Sequence, residues 1–340
     1  LFEVFVRLGM VFLLMIIQGD HLIMYALLYL VVIVLVNTIY MLYCRNNFQE
    51  CRYSLKKDKA LFKDLIGFSG WTLLGQASVV VKNQGEAIFV NKFFTVATNA
   101  AMGVAAQVAN ALEMFVSNFQ TAFNPQLIQS HASKDYIAHR DLLFRASKFS
   151  YFLLLIMLVP IVSNIDFILN LWLAEVPEYT NYFIVFILIS YLFNALSTPF
   201  VTSIFATGNI KGYQIALTVI FVCGLITTFS VLQMGAKPYS VSIVSVFIQF
   251  ALLLCRLYYA HNHVGVSFRR FISDVGVPIS LVTILSIIPP CFLYSWQDNV
   301  LKVIFAIGME ICYIGLLIFF IGMKKSERKY IINTLKNKLV

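Results

Sequence analysis

The chain has 340 residues, of which 60% are hydrophobic and only 12% are charged, and its formal net charge is +9. Its mean hydropathy is +0.83. A water-soluble protein would carry about twice this share of charged residues, so the chain has too few polar side chains to cover a soluble surface. The composition therefore excludes a cytosolic enzyme, a DNA-binding protein and a disordered chain, and it indicates a protein whose main solvent is lipid.

Ten apolar segments are each long enough to cross a hydrocarbon layer of about 30 Å as a helix. In chain order they are residues 1–18, 22–43, 65–91, 95–123, 149–169, 182–205, 215–232, 240–259, 275–294 and 300–323. The spacers between them are too short to hold a soluble domain. The sequence thus predicts an all-α polytopic membrane protein with about ten transmembrane helices.

Lysine and arginine concentrate in alternate segments between the spans, which is the pattern that marks the cytoplasmic side. Twenty of the 25 basic residues fall in this set. They include Arg45 to Lys63, Lys134 to Lys148, Lys211, Arg256 to Arg270 and the residues from Lys324 onward. The positive charge therefore predicts topology, with the C-terminus in the cytoplasm, and no nucleic-acid partner is expected.

Polar side chains follow one face of the third and fourth spans. The third carries Thr72, Gln76, Lys82, Asn83 and Glu86 within an arc of about 120°. The fourth carries Asn99, Asn110, Glu113, Ser117, Gln120, Thr121 and Asn124 within about 100°. Charged groups at bilayer depth usually face a bundle interior or a wet cavity. We expect these two faces to form the wall of a hydrated cavity.

The candidate ligand-binding residues are taken from these faces. They are Gln76, Lys82, Asn83, Glu86, Asn110, Glu113, Gln120 and Asn124. Amides can exchange hydrogen bonds with sugar hydroxyls, and Lys82 can attract a phosphate. Glu86 and Glu113 are the candidates for binding a coupling ion, H⁺ or Na⁺. No catalytic residue, metal site or cofactor is predicted.

Structural roles compete with this interpretation. Lys82 and Glu86 are four residues apart, and they could simply neutralise each other so that the helix inserts. Some of the amide side chains on these faces could form hydrogen bonds between helices. Glu310, in the last span, is expected to be a buried residue that packs against a neighbouring helix. His261 and His263 lie at a helix end, where polar residues are common.

Three segments carry a family resemblance: FSGW at residues 68–71, KNQG at residues 82–85 and NFQTAFNPQ at residues 118–126. In this order and spacing they resemble the bacterial Wzx-type polysaccharide flippases, which belong to the multidrug/oligosaccharidyl-lipid/polysaccharide (MATE-like) exporter superfamily. The resemblance extends over the whole chain and is most specific at residues 67–130.

The resemblance implies a fold of two lobes and about fourteen helices that alternates between inward-open and outward-open states. Its predicted divisions are residues 1–43 (last two helices of the first lobe), 44–64 (cytoplasmic linker), 65–261 (core of the second lobe), 262–323 (two further helices) and 324–340 (basic tail). The first helices of the family fold would then precede Leu1, so we expect a truncated chain.

The implied cargo is a lipid-linked (undecaprenyl-pyrophosphate) oligosaccharide unit for surface polysaccharide such as O-antigen. The implied location is the bacterial cytoplasmic membrane. Membrane lipids and polysaccharide polymerase or export machinery are the other expected partners. Two alternatives remain: a MATE-type multidrug or cation antiporter, and a membrane O-antigen polymerase or ligase, which should carry a sizeable outer loop with Arg or His.

Overall fold

A computed structural model describes residues 21–51, 58–293 and 300–329, together with residues 6, 8–10, 12, 14 and 333. These described residues form helices and no strands. Nine of the helices in this part of the chain are long and apolar enough to cross a membrane. The prediction of an all-α multi-pass membrane protein is confirmed. The predicted span at residues 1–18 and most of the basic tail lie outside the described residues.

The chain divides into two compact units, Leu1–Lys63 and Asp64–Val340. The first contains helix α1 (His21–Asn47) and a short 3₁₀ turn at Gln49–Cys51. Helix α2 (Lys59–Phe93) begins at the end of the first unit and continues through the second. The remaining helices are α3 (Val96–Ala132), α4 (Tyr136–Ser163), α5 (Ile165–Trp172), α6 (Thr180–Ala206), α7 (Lys211–Gln233), α8 (Ser240–Val264), α9 (Phe268–Cys291) and α10 (Val300–Gly322). The lobe assignment of residues 1–43 stays a prediction.

The predicted span at residues 149–169 is wrong in its bounds. Helix α4 begins thirteen residues earlier, at Tyr136, and ends at Ser163. Asn164 ends it, because its backbone leaves the α-helical region (φ −113°, ψ 25°), and its side-chain Nδ2 donates to the carbonyl oxygen of Pro160. The apolar residues that follow form the separate short helix α5. Hydropathy therefore marked the apolar stretch but missed the break within it.

Helix α3 also exceeds its predicted bounds. It continues through Pro125 to Ala132, nine residues beyond the apolar segment. At its start, Thr95 accepts a hydrogen bond from the backbone N–H of Thr98 and caps the helix. The two residues between Phe93 and Val96 make the turn from α2 into α3, so the two polar faces are neighbours along the chain.

The main hydrophobic core of the second unit lies where α6 packs against α3, α4 and α8. Ala101, Ala105 and Ala109 are each 0% exposed on the side of α3 that faces this core. Their small side chains let the helix backbones approach closely, which stabilises helix pairs in a membrane. This packing fixes the rotation of α3 about its own axis, and it therefore fixes the direction in which the polar face of α3 points.

Candidate functional site: a polar cavity between five helices

A cavity of about 540 Å³ lies within the second unit, between α2, α3, α6, α7 and α8. This volume falls within the range of about 300–1,000 Å³ that ligand pockets occupy. Its polar lining consists of Lys82, Asn83, Glu86, Asn99, Asn110, Glu113, Ser190, Tyr191, Asn194, Ser242, Ser245, Gln249 and Arg256. Amides, hydroxyls, two cations and two carboxylates therefore meet inside a bundle of apolar helices.

The first polar group of the cavity joins α2 to α8. Lys82 Nζ lies 2.8 Å from Glu86 Oε2 and donates to the Ser245 hydroxyl at 2.9 Å. The same hydroxyl donates to Glu86 Oε1 at 3.0 Å. Each of the three groups contacts the other two, so the charge of Lys82 is neutralised locally. The predicted pairing of Lys82 with Glu86 is present, and both residues also line the cavity.

The second polar group joins α3, α6 and α8 through Asn194. Its Nδ2 donates to Glu113 Oε1 at 2.8 Å, and its Oδ1 accepts from an Nη1 of Arg256 at 3.2 Å. Arg256 also donates to the hydroxyls of Ser197 and Tyr213. The amide thus separates the cation from the carboxylate, and the described hydrogen-bond partners of Arg256 are all neutral.

Five of the eight predicted ligand residues meet in this cavity. They are Lys82, Asn83, Glu86, Asn110 and Glu113. Asn110 also accepts a hydrogen bond from the Tyr191 hydroxyl at 3.1 Å. The central parts of the polar faces on α2 and α3 therefore converge as the sequence predicted.

The other three predicted ligand residues do not line this cavity. Gln76 is exposed on α2, outside it. Gln120 is 8% exposed and donates to the backbone carbonyl of Ala195, while Asn124 accepts from the Thr202 hydroxyl. Because α3 packs closely against α6 in this region, the amides of Gln120 and Asn124 form hydrogen bonds between helices, which was the competing structural interpretation.

A smaller cavity of about 90 Å³ adjoins these residues. It is lined by Gln120 and Thr198, and it shares Glu113, Tyr191 and Asn194 with the larger cavity. Glu113 therefore borders both spaces. A carboxylate in this position can contact a ligand in the large cavity while it remains bound to Asn194.

Arg256 was not among the predicted cavity residues, because the sequence analysis counted it with the basic residues of a cytoplasmic segment. The side chain is 7% exposed and lies within the apolar helix α8. A signal was present, because Ser242, Gln249 and Arg256 are spaced seven residues apart and so lie on one face of a helix. All three line the cavity.

The described residues contain no group of three His, Cys, Asp or Glu side chains that could hold a metal ion. His261 instead has its Nδ1 2.6 Å from the backbone carbonyl of Val266, near the end of α8. Glu310 is 1% exposed and accepts a hydrogen bond from the Ser163 hydroxyl at 2.8 Å. These polar residues lie outside the cavity lining.

Comparisons with known proteins found no matching protein-family model, no matching curated protein and no matching solved structure.

Proposed function

We propose that the protein is a transporter that moves lipid-linked oligosaccharide units across the bacterial cytoplasmic membrane by alternating access, without changing them covalently. The observation that carries this proposal is the 540 Å³ cavity, whose polar lining lies between membrane-spanning helices. A hydroxyl-rich, charged headgroup cannot cross hydrocarbon unaided, because its hydrogen bonds to water would be lost. Cavity amides and hydroxyls offer replacement partners, while a polyprenyl tail remains in lipid.

The distribution of charge favours Arg256 as the contact for the phosphate of the cargo. Lys82 is already neutralised by Glu86 at 2.8 Å, whereas the described partners of Arg256 are two hydroxyls and an amide oxygen. A guanidinium group can bind two phosphate oxygens at once through its fork of N–H donors. We therefore assign the anion-binding role to Arg256 and a supporting role to Lys82.

The two carboxylates of the cavity supply sites for a coupling ion. Glu86 contacts Lys82 and Ser245, so a bound proton there would break the ion pair. Glu113 accepts a hydrogen bond from Asn194, which also contacts Arg256. Protonation or Na⁺ binding at either carboxylate would change the contacts of a cation in the cavity, and this could couple ion movement to cargo binding.

The resemblance to Wzx-type flippases supports the same function. Its KNQG segment contains Lys82 and Asn83, which line the cavity. A multidrug or cation antiporter is the second candidate, and Glu113 favours it because its described hydrogen-bond partner is the neutral amide of Asn194, so its carboxylate would attract a cationic drug.

The test measures surface polysaccharide in bacteria that depend on the full-length protein. We expect Arg256→Gln to abolish export at normal membrane abundance, and Arg256→Lys to retain part of it because the positive charge remains. Arg269→Gln is the matched control, because Arg269 is exposed and does not line the cavity.

Three outcomes count against the proposal. Normal export by the Arg256→Gln variant would refute the anion-binding role of Arg256, while drug resistance conferred without any effect on surface glycan, or glycan polymerisation by the purified protein, would refute the transport function. The second would establish the antiporter, and the third a membrane enzyme.

A further inference from the structure

A second cluster of charged side chains surrounds a cleft of about 130 Å³. We call it the charged cleft; its basic residues are Arg145, Lys148, Arg270 and Lys324. It lies where the N-terminal halves of α4 and α9 meet the residues that follow α10, and it shares no lining residue with the 540 Å³ cavity. The space is large enough for several waters, since one water needs about 10–15 Å³ by this measure.

The acidic side chains of the charged cleft are already engaged by neighbouring cations. Asp141 lies 2.6 Å from Arg270, and Asp274 lies 2.7 Å from Lys324. The carboxylate of Glu327 lies 2.7 Å from Lys148. Lys148 lies inside α4 and its side chain is only 2% exposed. These pairs neutralise three of the four cations.

Arg145 is the cation that these pairs leave least compensated. Its closest described ion-pair contact is Glu327 Oε1 at 3.8 Å, and its side chain is 53% exposed. A guanidinium group has five N–H donors in a planar fork that matches a phosphate. The Ser326 hydroxyl lines the same cleft and offers a further donor.

The surroundings of the cleft add positive charge, and the end of the apolar stretch of α4 predicts that they lie at the depth of lipid headgroups. Residues 140–148, 267–274 and 324–329 together hold nine basic and three acidic side chains. On α4 the apolar membrane-spanning stretch begins directly after Lys148. Basic pockets between helices at this depth are typical binding places for anionic lipid headgroups.

We propose that the charged cleft binds a phosphate group, carried either by the headgroup of an anionic phospholipid or by free inorganic phosphate, with Arg145 as its main contact. Phosphate oxygens would replace the waters around this guanidinium, and Lys324 and Ser326 would complete the contacts. The proposal needs only the membrane setting and the cleft, and it is independent of the transport function.

The experiment measures thermal unfolding of the purified full-length protein in detergent, with added phosphatidylglycerol, phosphatidylcholine or inorganic phosphate. We expect an upward shift with phosphatidylglycerol and none with phosphatidylcholine, because the choline ammonium cancels the phosphate charge and is repelled by the basic side chains of the cleft. In Arg145→Gln the apparent affinity should fall about tenfold, the loss expected for one charge-assisted hydrogen bond. The fold should survive this change, because Glu327 keeps its contact with Lys148 at 2.7 Å.

Arg269→Gln is the matched control: it removes one positive charge from the same surface but does not line the cleft. It should keep the affinity of the unmodified protein. An Arg145-dependent shift with inorganic phosphate as well would identify the phosphate itself as the ligand, and a shift with phosphatidylglycerol alone would identify the lipid. Equal shifts with both lipids, or an unchanged shift in Arg145→Gln, would overturn the proposal.

Discussion

The ion pair between Lys82 and Glu86 permits a double-mutant cycle that separates simple neutralisation from ligand binding. The two side chains are 13% and 9% exposed. After Glu86→Gln, the Ser245 hydroxyl remains as the described polar contact of the ammonium group. Removing one partner of a buried pair costs about 3–5 kcal/mol. Because an open cavity adjoins this pair and water can relieve part of the cost, we expect a loss of about 3 kcal/mol for Glu86→Gln and for Lys82→Met.

The double variant Lys82→Met/Glu86→Gln removes both charges. Its loss of unfolding free energy should be about 3 kcal/mol smaller than the sum of the single losses. The assay is denaturant unfolding of the purified protein in lipid nanodiscs. Lys237→Met, in an exposed loop, is the control and should change the unfolding free energy by no more than about 0.5 kcal/mol.

A coupling below about 0.5 kcal/mol would refute the electrostatic argument. Export measured in the same variants separates the two roles. A stable double variant that still exports polysaccharide would limit the pair to neutralisation, whereas a stable double variant without export would assign the pair to transport, as a contact of the cargo or of the coupling ion.

Three further predictions follow from packing, exposure and charge. A Cβ at Gly224 on α7 would overlap the side chain of Ile248 on α8, so Gly224→Ala should lower the unfolding free energy by about 1–3 kcal/mol. Gly308→Ala is the control: this glycine has open space around it, so the change should not lower the unfolding free energy. In a cysteine-free background, a cysteine at exposed Asn110 should react with a water-soluble maleimide, and one at buried Gln120 should not; equal labelling would contradict the described cavity. Reporter fusions after Lys63 and after Glu178 should report opposite sides of the membrane, and the same side for both would refute the topology predicted from the basic residues.

Nine of the ten predicted spans correspond to apolar helices in the described part of the chain, but the ends of these helices could not be predicted from the sequence. Hydropathy detects apolar stretches, and α3 and α4 both extend well beyond theirs into polar residues. The end of α4 depends on the non-helical backbone of Asn164, whose side chain donates to the carbonyl oxygen of Pro160. Hydropathy averaged over a window of residues does not detect such local features.

Helical periodicity predicted the polar faces of α2 and α3, but not which part of each face meets a cavity. Which part of a polar face meets the cavity depends on where the neighbouring helix packs. Where α6 packs against α3, Gln120 is buried and bonds to Ala195; further along, Asn110 and Glu113 reach the open space. Arg256 was missed for a different reason, because counting basic residues by segment ignores the helix face on which each one lies.

Helix α2 buries few of its residues for so long a helix. Among its 35 residues the buried ones are Gly75, Ser78, Glu86 and Val90. The Ser78 and Thr218 hydroxyls lie 2.8 Å apart, and Lys82 and Glu86 both bond to Ser245. The hydroxyl groups of a sugar, or water molecules, could replace any of these hydrogen bonds with little change in free energy. A ligand that competes for Ser245 would therefore weaken the polar contacts of α2 while its apolar contacts with α7 and α8, at Val79, Phe89 and Val90, remain. Occupancy of the cavity would then change how α2 is held without detaching it.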